Sequence, residues 1–586
     1  MRRRVSNWIV GGLAAAVVLL GACAPPTPAG TGGAQAGESA PAPPHQTKAL
    51  TIGITGSVPA VSIAGGASPV GGWVALTEMH TDGLITADAQ VHQPIGRLAE
   101  RVPSLDDGSI TLLPDGQEQV TFHLRPGVTW QDGVPFTAQD LAFSYQVGGP
   151  GGLPTSLNPA ARFMAAVEAP DDATFVITYK QPYFPGAFLG PQMFWPLPQH
   201  LLADAAARYA ASHDPNDLLQ DPYWTSAYVS TGPFRLTSFD PGAGMDFQAY
   251  DGYFLGRPRI DVVHVHIFND DNTLESSLLA GTVDLTPELA LRQATGVPLQ
   301  NSWKASGAGT VYVTNNALTQ LEAQMRPAVQ MEAADLDPRV RAALYVAFDR
   351  EELSDAVNGG NPQLAAWSIL PESDPLYSVT KDSLRPFAYD PERAITMLHE
   401  LGWTAGADGQ LRNDVDGRPF HTSVWASLGD DVLVAALAAQ WRRIGLAVDE
   451  HVTSAAESRD ESVRTQFPGW DTMSDDFTDR LSQTGKSAET RWVGNRNGFD
   501  DPEARQLAAA FLTSLDPNAH AQAMQAINAY FVRNMVTLPL FFQATWMAAR
   551  TGVQAYDDLA GGFGAHVGNS GYWGSYYRNA YRWDIQ

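Results

Sequence analysis

Cysteine is almost absent from this chain, since Cys23 is the only one among 586 residues. A disulfide framework is therefore excluded, and the lone thiol is left for another use. Basic residues are also scarce, because 37 Lys and Arg stand against 63 Asp and Glu and give a formal net charge of −26. That charge argues against a nucleic acid or another polyanion as partner, and such acidity ordinarily serves solubility.

Motifs of the common catalytic and metal sites are missing as well. No G-x-S-x-G elbow occurs, and TGKS at 484–487 lacks the first glycine of a phosphate loop because Arg480 occupies that place. His264 and His266 share one face of a predicted strand without a third ligand nearby, so we interpret them as histidines with satisfied hydrogen bonds. The acidic segment 413–417 lacks the later glutamate of a calcium loop and predicts a hairpin turn.

These absences predict a protein with no metal, no cofactor and no enzymatic activity. An exported hydrolase remains an alternative, because the residues of a catalytic triad assemble in space and not in sequence. What is present is a globular composition, with 44% hydrophobic, 10% aromatic and 17% charged residues. At roughly 150 residues per domain, the length predicts three or four globular units.

The N-terminus predicts export. Arginines at 2–4 precede an apolar run over 8–20, and Leu-Gly-Ala then leads into Cys23. The run is too short for a transmembrane span and fits a signal peptide over residues 1–22. The letters LGAC resemble the lipobox of bacterial lipoproteins, in which the cysteine becomes the lipidated first residue. A soluble secreted protein with a chance cysteine is the alternative.

Residues 23–47 consist almost entirely of Pro, Gly, Ala and polar residues. Such a segment cannot bury a core, so it predicts a disordered tether. A lipid followed by a tether implies a body held near a membrane, which is a receptor-like arrangement.

Residues 122–146, FHLRPGVTWQDGVPFTAQDLAFSYQ, carry a clear local pattern. Apolar and polar residues alternate over 120–124 and predict a strand with one buried face. Turn formers flank residues 128–130, which predict a short second strand. Thr137 then predicts a helix N-cap, and Asp140 stands three residues on, where a capping box needs its acceptor. The segment therefore predicts a hairpin, a turn and a helix.

Further along, helices and strands alternate. Segment 337–348 begins with Asp-Pro and has apolar residues at helical spacing, and segment 390–402 begins in the same way and ends in glycine. An apolar stripe over 433–444 is followed by glycine and by an alternating strand over 446–452. Helix, glycine and strand in this order indicate an α/β lobe.

Together with residues 122–146, five further blocks follow one another along the chain: STGPFRLTSFDPG (230–242), SSLLAGTVDL (276–285), DPRVRAALYVAFDRE (337–351), YDPERAITMLHELGW (389–403) and QWRRIGLAVDEHV (440–452). In type and order they resemble the family 5 extracellular solute-binding proteins of ATP-binding cassette importers, the peptide and nickel binder group. The resemblance runs from about residue 50 to the C-terminus.

This resemblance implies an α/β, two-lobed periplasmic-binding-protein-like fold with an extra subdomain in the first lobe and two hinge crossovers. Lobe I is expected to be discontinuous, with residues 48–85, 226–311 and 541–586. The extra subdomain is expected over 86–225 and lobe II over 312–540.

The two crossovers are expected near Tyr312 and Asn315 and near Leu540 and Phe541, which we predict to be hinge residues. Closure of two lobes needs a few residues at element ends or in loops to absorb the change in backbone dihedral angles.

The resemblance also implies a solute. Peptide-binding relatives hold the α-amino group of the peptide with an acidic residue in an ADY-like loop of the second lobe. Here Asp476 is the nearest match, with Asp475 as fallback. Trp470 and Trp492 flank this region and are predicted to wall the cleft, and Trp425 is predicted to line it.

A carbohydrate or another non-peptide solute is the alternative ligand. The C-terminal segment 571–583 is rich in tyrosine and tryptophan, whose rings can stack on sugars. Packing of the terminus against lobe I is the other explanation for these rings, and it is the one we prefer.

The predicted role is that of a receptor in an importer. It binds a short peptide between its lobes and passes it to the permease subunits. It works as a monomer, without nucleic acid, lipid-anchored to the outer face of the cytoplasmic membrane.

Overall fold

The computed structural model describes residues 46–61, 72–88, 93–153, 158–372, 374–454, 456–457, 460–475, 495–554 and 577–586. No helix within these ranges combines the length and the apolar character that a bilayer crossing requires.

The strands of the described residues are β1 (Ala49–Thr55), β2 (Ile85–Ala87), β3 (Pro94–Gly96), β4 (Ile110–Leu112), β5 (Glu118–His123), β6 (Met164–Asp171), β7 (Thr174–Tyr179), β8 (Phe234–Asp240), β9 (Gly244–Ala249), β10 (Val262–Phe268), β11 (Leu285–Leu291), β12 (Gly309–Ala323), β13 (Trp403–Ala405), β14 (Leu411–Asn413), β15 (His421–Ala426), β16 (Ala447–Val452), β17 (Trp470–Asp475), β18 (Thr537–Arg550), β19 (Val553–Gln554) and β20 (Asp584–Ile585).

The α-helices of the same residues are α1 (Thr77–His80), α2 (Ala138–Gly148), α3 (Gln199–Ser212), α4 (Asn216–Leu219), α5 (Asp271–Leu279), α6 (Gln293–Ser306), α7 (Pro338–Val346), α8 (Arg350–Val357), α9 (Tyr377–Thr380), α10 (Pro391–Glu400), α11 (Asp431–Arg443), α12 (Glu461–Arg464), α13 (Pro502–Thr513) and α14 (Pro517–Asn534).

Ten of these strands form one mixed sheet in the order β16-β15-β17-β12-β18-β11-β1-β10-β9-β8. Helices pack against it, as an α/β architecture requires. We call the half from β11 to β8 lobe I and the half from β16 to β17 lobe II. A separate antiparallel sheet in the order β4-β5-β7-β6 forms the extra subdomain.

Each of these three parts has its own hydrophobic core. The lobe I core surrounds β1 and β10 and includes Leu50, Ile52, Phe247 and Val265. The lobe II core lies between its strands, α7 and α11 and includes Leu321, Leu344, Leu437 and Trp441. The subdomain core includes Phe122, Trp130, Phe175 and Ile177. Trp195, Leu202 and Trp224, which the sequence-based division assigns to the subdomain, pack in the lobe I core.

The segment 122–146 forms its strand and helix as predicted, with one difference. Strand β5 alternates buried and exposed residues and pairs with β4 and β7. Helix α2 starts after Thr137, whose N–H donates to the Asp140 carboxylate at 2.9 Å. The predicted second strand is wrong, because a tight turn follows Trp130 at once and leaves only the isolated bridge of Thr129 to Pro135.

The Asp-Pro helix starts are confirmed. The Asp337 carboxylate accepts from the Arg339 N–H, and the Asp390 carboxylate accepts from the Arg393 N–H. The predicted apolar stripe over 337–348 lies in α7 and the residues directly after it, and Asp349 then caps a second helix, α8, by accepting from the Glu352 N–H. An N-cap inside a helical pattern ends one helix and begins the next.

Candidate functional site

Strands β12 and β18 connect the two lobes and pair with each other along nearly their full length. The start of β12 packs in lobe I, where Val311 is buried, and its end packs in lobe II, where Leu321 is buried. Their register shifts where Asn315 faces Ala544 and Leu318 faces Phe542, so one strand has an extra residue there. We call this bulge the crossing point. A bulge bends its strand locally, which suits a link between two bodies.

The strand directions place the carboxyl ends of both lobes opposite each other. In lobe I, β1 and β10 run parallel to β11, and β11 is antiparallel to β18, so all three run toward lobe II. In lobe II, β17 is antiparallel to β12, and β15 and β16 run with it toward lobe I. Ligands of open α/β sheets bind outside the carboxyl ends of the strands. The candidate site is therefore the space between these two edges, at the crossing point.

A polar cluster marks the lobe II side of the crossing point. The hydroxyl groups of Ser474 and Thr319 lie 2.8 Å apart, and the Gln543 amide donates to the Ser474 hydroxyl at 2.9 Å. The backbone of Asp475, the last residue of β17, pairs with Leu318 in the bulge. The last described residue before 476–494 therefore lies at the crossing point.

The described chain resumes at residue 495, and Arg496 contacts the same strand. Arg496 forms an ion pair with Asp471 of β17 at 3.0 Å, and both side chains are buried. The Asn495 side chain accepts from the Phe499 N–H and donates to its carbonyl oxygen. The described residues on either side of 476–494, Asp475 and Arg496, thus lie in β17 and against it.

Asp476 and Trp492 lie outside the described residues, and so does Cys23. Asp475 is placed only by its backbone. Trp425 is half-buried near the carboxyl end of β15, with its ring centroid 4.1 Å from that of His451. The contacts predicted between these residues and a solute stay predictions.

Trp470 lies deep in the lobe II core. Its side chain is fully buried, its ring lies 5.3 Å from that of Trp441, and its indole N–H donates to the Asp335 carboxylate at 3.0 Å. In this conformation the ring offers no exposed surface to a solute. It would reach the cleft only if this core opened.

Asp335 is a buried carboxyl group whose charge is costly to bury. It also accepts from the Thr422 hydroxyl at 2.8 Å, and burial raises its pKa to about 7. An unfolded aspartate has a pKa of about 3.9. The folded protein therefore keeps a proton that the unfolded chain loses, so the stabilisation is complete below pH ~4 and is lost as pH rises through the folded value.

Replacing Asp335 with asparagine is expected to remove this pH dependence. Between pH ~4 and ~7 the unaltered protein should lose about 1.4 kcal/mol of stability per pH unit relative to Asp335→Asn, since one proton separates the two states. Urea unfolding followed at several pH values in this window measures the difference. Parallel pH profiles of the two proteins would contradict the assignment.

The predicted hinge residues occupy two kinds of position. Asn315 lies in the bulge and Tyr312 three residues before it on the lobe I side. Leu540 and Phe541 are buried in the lobe II core. The roles of the four residues in closure stay predictions.

Asn358 is a residue at the crossing point that sequence reasoning missed. Its side-chain amide donates to the Phe542 carbonyl at 3.1 Å and accepts from the Ala544 N–H at 2.9 Å. The amide thereby takes the place of a strand partner beside the bulge. An asparagine at a helix end gives no sign of a partner so far away in sequence.

Lobe II touches the extra subdomain at a second place, away from the crossing strands. The ring of His520 in α14 lies between Phe184 of the subdomain and Phe511 of α13, with centroids 3.5 and 4.0 Å away. Leu512 packs against the subdomain core and also against the core around α13 and α14. We call these four residues the closure contact. Lobe II therefore contacts the extra subdomain in addition to the strands that link it to lobe I.

Within the described ranges, no group of three or more His, Cys, Asp or Glu side chains is placed to hold a metal ion. His264 lies 2.6 Å from the Asp246 carboxylate, as expected for a histidine satisfied within the sheet. The acidic segment 413–417 forms a turn in which the Asn413 side chain accepts from the Val415 N–H, and the Gly417 N–H donates to the Asn413 carbonyl.

Comparison with known families gives one match over most of the chain. The model described as bacterial extracellular solute-binding proteins, family 5, middle region, matches residues 93–491. Among curated proteins, the oligopeptide-binding protein AppA of Bacillus subtilis is 26% identical over 362 residues, which are 61% of this chain and 60% of that protein. The match thus spans about three fifths of the length of this relative.

Solved structures share the fold over nearly the whole chain. The oligopeptide-binding protein of Thermus thermophilus, complexed with a pentapeptide, aligns with a TM-score of 0.62 at 22% identity and covers 92% of this chain and 98% of its own. NikA of Brucella suis, in complex with Fe(III)-EDTA, aligns with a TM-score of 0.68 at 19% identity over 92% and 100%. The fold is that of two-lobed binding proteins.

Proposed function

Because the chain belongs to the bacterial extracellular solute-binding proteins of family 5, we propose that it binds a short peptide between its lobes and delivers it to the permease of an ATP-binding cassette importer. The observation that carries this proposal is the arrangement of the sheet. The parallel strands of both lobes end at the crossing point, so a solute there touches two bodies joined by two strands.

Binding would work through closure. A ligand that contacts both lobes favours the closed state, whereas a ligand with equal affinity for the open and closed states shifts nothing. The bulge between Asn315 and Leu318 provides the irregular backbone that can change its dihedral angles. The closed form is then the one that the permease recognises.

A peptide is the preferred solute for two reasons. The relative from Bacillus subtilis is named for oligopeptide binding, and the structure from Thermus thermophilus holds a pentapeptide. Physically, an extended peptide presents backbone donors and acceptors that a cleft can read without regard to side chains. Its α-ammonium needs a charged partner once water is excluded, and Asp476, with Asp475 as fallback, is the proposed carboxylate.

The C-terminal rings give the carbohydrate alternative little support. Tyr577 and Trp583 are buried in the lobe I core, and Tyr581 lies 5.5 Å from the ring of Tyr253. Residues 571–576 lie outside the described part of the chain. Stacking on a sugar would have to come from other aromatic residues.

Calorimetry of the mature protein against a peptide pool and a sugar panel tests the proposed function. We expect heat of binding from peptides of a few residues and none from the sugars. Binding of sugars alone would contradict the peptide assignment. Turnover of any panel member would contradict the further proposal that the protein is a receptor without enzymatic activity.

The protein is also proposed to be a monomeric lipoprotein, held by Cys23 to the outer face of the cytoplasmic membrane. The Cys23→Ser variant is expected to lose acyl labelling and to leave the membrane fraction, because no other cysteine is available. Metabolic labelling with a fatty acid and cell fractionation measure both effects. Acyl labelling and membrane retention equal to those of the unaltered protein would contradict the anchor.

A further inference from the structure

Leu289 has a backbone conformation that is unfavourable for leucine. Its φ of 64° lies in the left-handed region, within the strand β11. Only three other non-glycine residues of the described chain share this sign of φ, namely His213, Asp382 and Met535. His213 and Met535 follow helices as C-caps and Asp382 lies in a turn, which are common places for this conformation.

The packing around Leu289 shows that its neighbours hold this conformation in place. The register of β11 against β18 breaks between Thr286 and Leu291. Within the break Glu288 and Ala290 are buried, and the Ala290 carbonyl accepts from the Thr55 hydroxyl at 3.4 Å. Gly72 lies so close that an added Cβ would be 2.9 Å from the Glu288 carbonyl oxygen. The register break in β11 is therefore packed against both Thr55 and Gly72.

The side chain of Leu289 gains little from this strain within its own lobe. It is 42% exposed, whereas Pro287, Glu288 and Ala290 beside it are buried. An apolar side chain that stays in water adds no hydrophobic stabilisation to the fold. Nothing within the described part of lobe I therefore offsets the free-energy cost of the strained Leu289 backbone. Strain that the surroundings impose without such a benefit is typical of ligand contacts.

Leu289 lies on the side of lobe I that faces the candidate site. Leu291 pairs with Trp546, and two residues earlier in β18, Ala544 marks the crossing point. Leu289 thus lies near the carboxyl end of β11, on the side of lobe I toward which its strands run and which faces lobe II. On the opposite edge, two residues after β15 ends, Leu428 is 61% exposed.

We infer that Leu289 contacts the solute and selects peptides that carry an apolar side chain. When the lobes close, Leu428 of lobe II contacts the same side chain of the peptide. This inference rests on the proposed function and adds the chemical class of the peptide. The strained bulge presents the leucine to the cleft, and burial of its side chain against the peptide takes place only in the complex. Apolar contact from both lobes favours the closed state.

The Leu289→Asn variant tests this inference, because asparagine adopts the left-handed region more readily than leucine. We expect the melting temperature of the solute-free protein to stay the same or rise. Affinity for a tripeptide with a central leucine is expected to fall about tenfold, as for the loss of one buried leucine contact. Affinity for the same tripeptide with central serine should change little.

Two further variants complete the test. Leu279→Asn replaces another half-exposed leucine, at the end of α5, and should leave both affinities unchanged. Leu289→Gly, which also accepts positive φ, should repeat the effect of Leu289→Asn. Equal affinity of Leu289→Asn and the unaltered protein for the leucine peptide would overturn this inference alone. Failure of the unaltered protein to bind any peptide would overturn the proposed function and this inference with it.

Discussion

The Asp476→Asn variant is expected to bind short peptides at least tenfold more weakly than the unaltered protein. A hydrogen bond to a charged group contributes about 1.5 kcal/mol at the low end, which is about a factor of ten in affinity. Asp475, the last described residue before Asp476, pairs through its backbone with Leu318 at the crossing point. Arg496, the second described residue after 476–494, forms an ion pair with Asp471 of the same strand.

An N-acetylated peptide makes this test specific. Acetylation removes the α-ammonium, so it should weaken binding to the unaltered protein and cause little further loss in Asp476→Asn. This coupling between the two changes separates a direct contact from a disturbed fold. Asp416→Asn, at an exposed turn of lobe II, serves as the control and should behave like the unaltered protein. A loss seen only in Asp475→Asn would transfer the role to that residue.

Removing one ring of the closure contact is expected to favour the open state. Phe184 is buried against His520 of lobe II, with ring centroids 3.5 Å apart. Loss of a well-packed aromatic at an interface costs about 2 kcal/mol or more. If this contact forms on closure, Phe184→Ala should lower peptide affinity roughly thirtyfold, mainly through faster dissociation, because the closed complex loses stability.

The matched control is Phe163→Ala. Phe163 stacks on Tyr183 with ring centroids 4.2 Å apart, and its contact lies entirely within the extra subdomain. This change should lower the stability of the subdomain without a comparable effect on peptide dissociation. Dissociation rates from stopped-flow fluorescence compare the two variants. Equal dissociation rates for Phe184→Ala and Phe163→Ala would show that the closure contact does not stabilise the closed state.

Local features of the fold were accessible from the sequence because their partners lie a few residues away. The caps formed by Asp337 and Asp390 and the pair of Thr137 with Asp140 are of this kind. The second helix, α8, which Asp349 caps directly after the predicted stripe, was not predicted.

Long-range features were not accessible in this way. Trp470 donates to Asp335, which is 135 positions away, and Asn358 bonds to a strand 184 positions away. The conformation of Leu289 depends on Thr55 and Gly72, which belong to another part of the chain. Such partners meet only through the topology of the sheet. The order of the lobes along the chain was predicted from the resemblance to a family, and not from the spacing of apolar residues.

The central claim is that a peptide bound between the lobes closes them around β12 and β18. Small-angle scattering of the mature protein, with and without a saturating peptide that calorimetry has identified, tests this claim most directly. A smaller radius of gyration in the presence of the peptide is the predicted result. Calorimetrically proven binding with an unchanged radius of gyration would contradict the account.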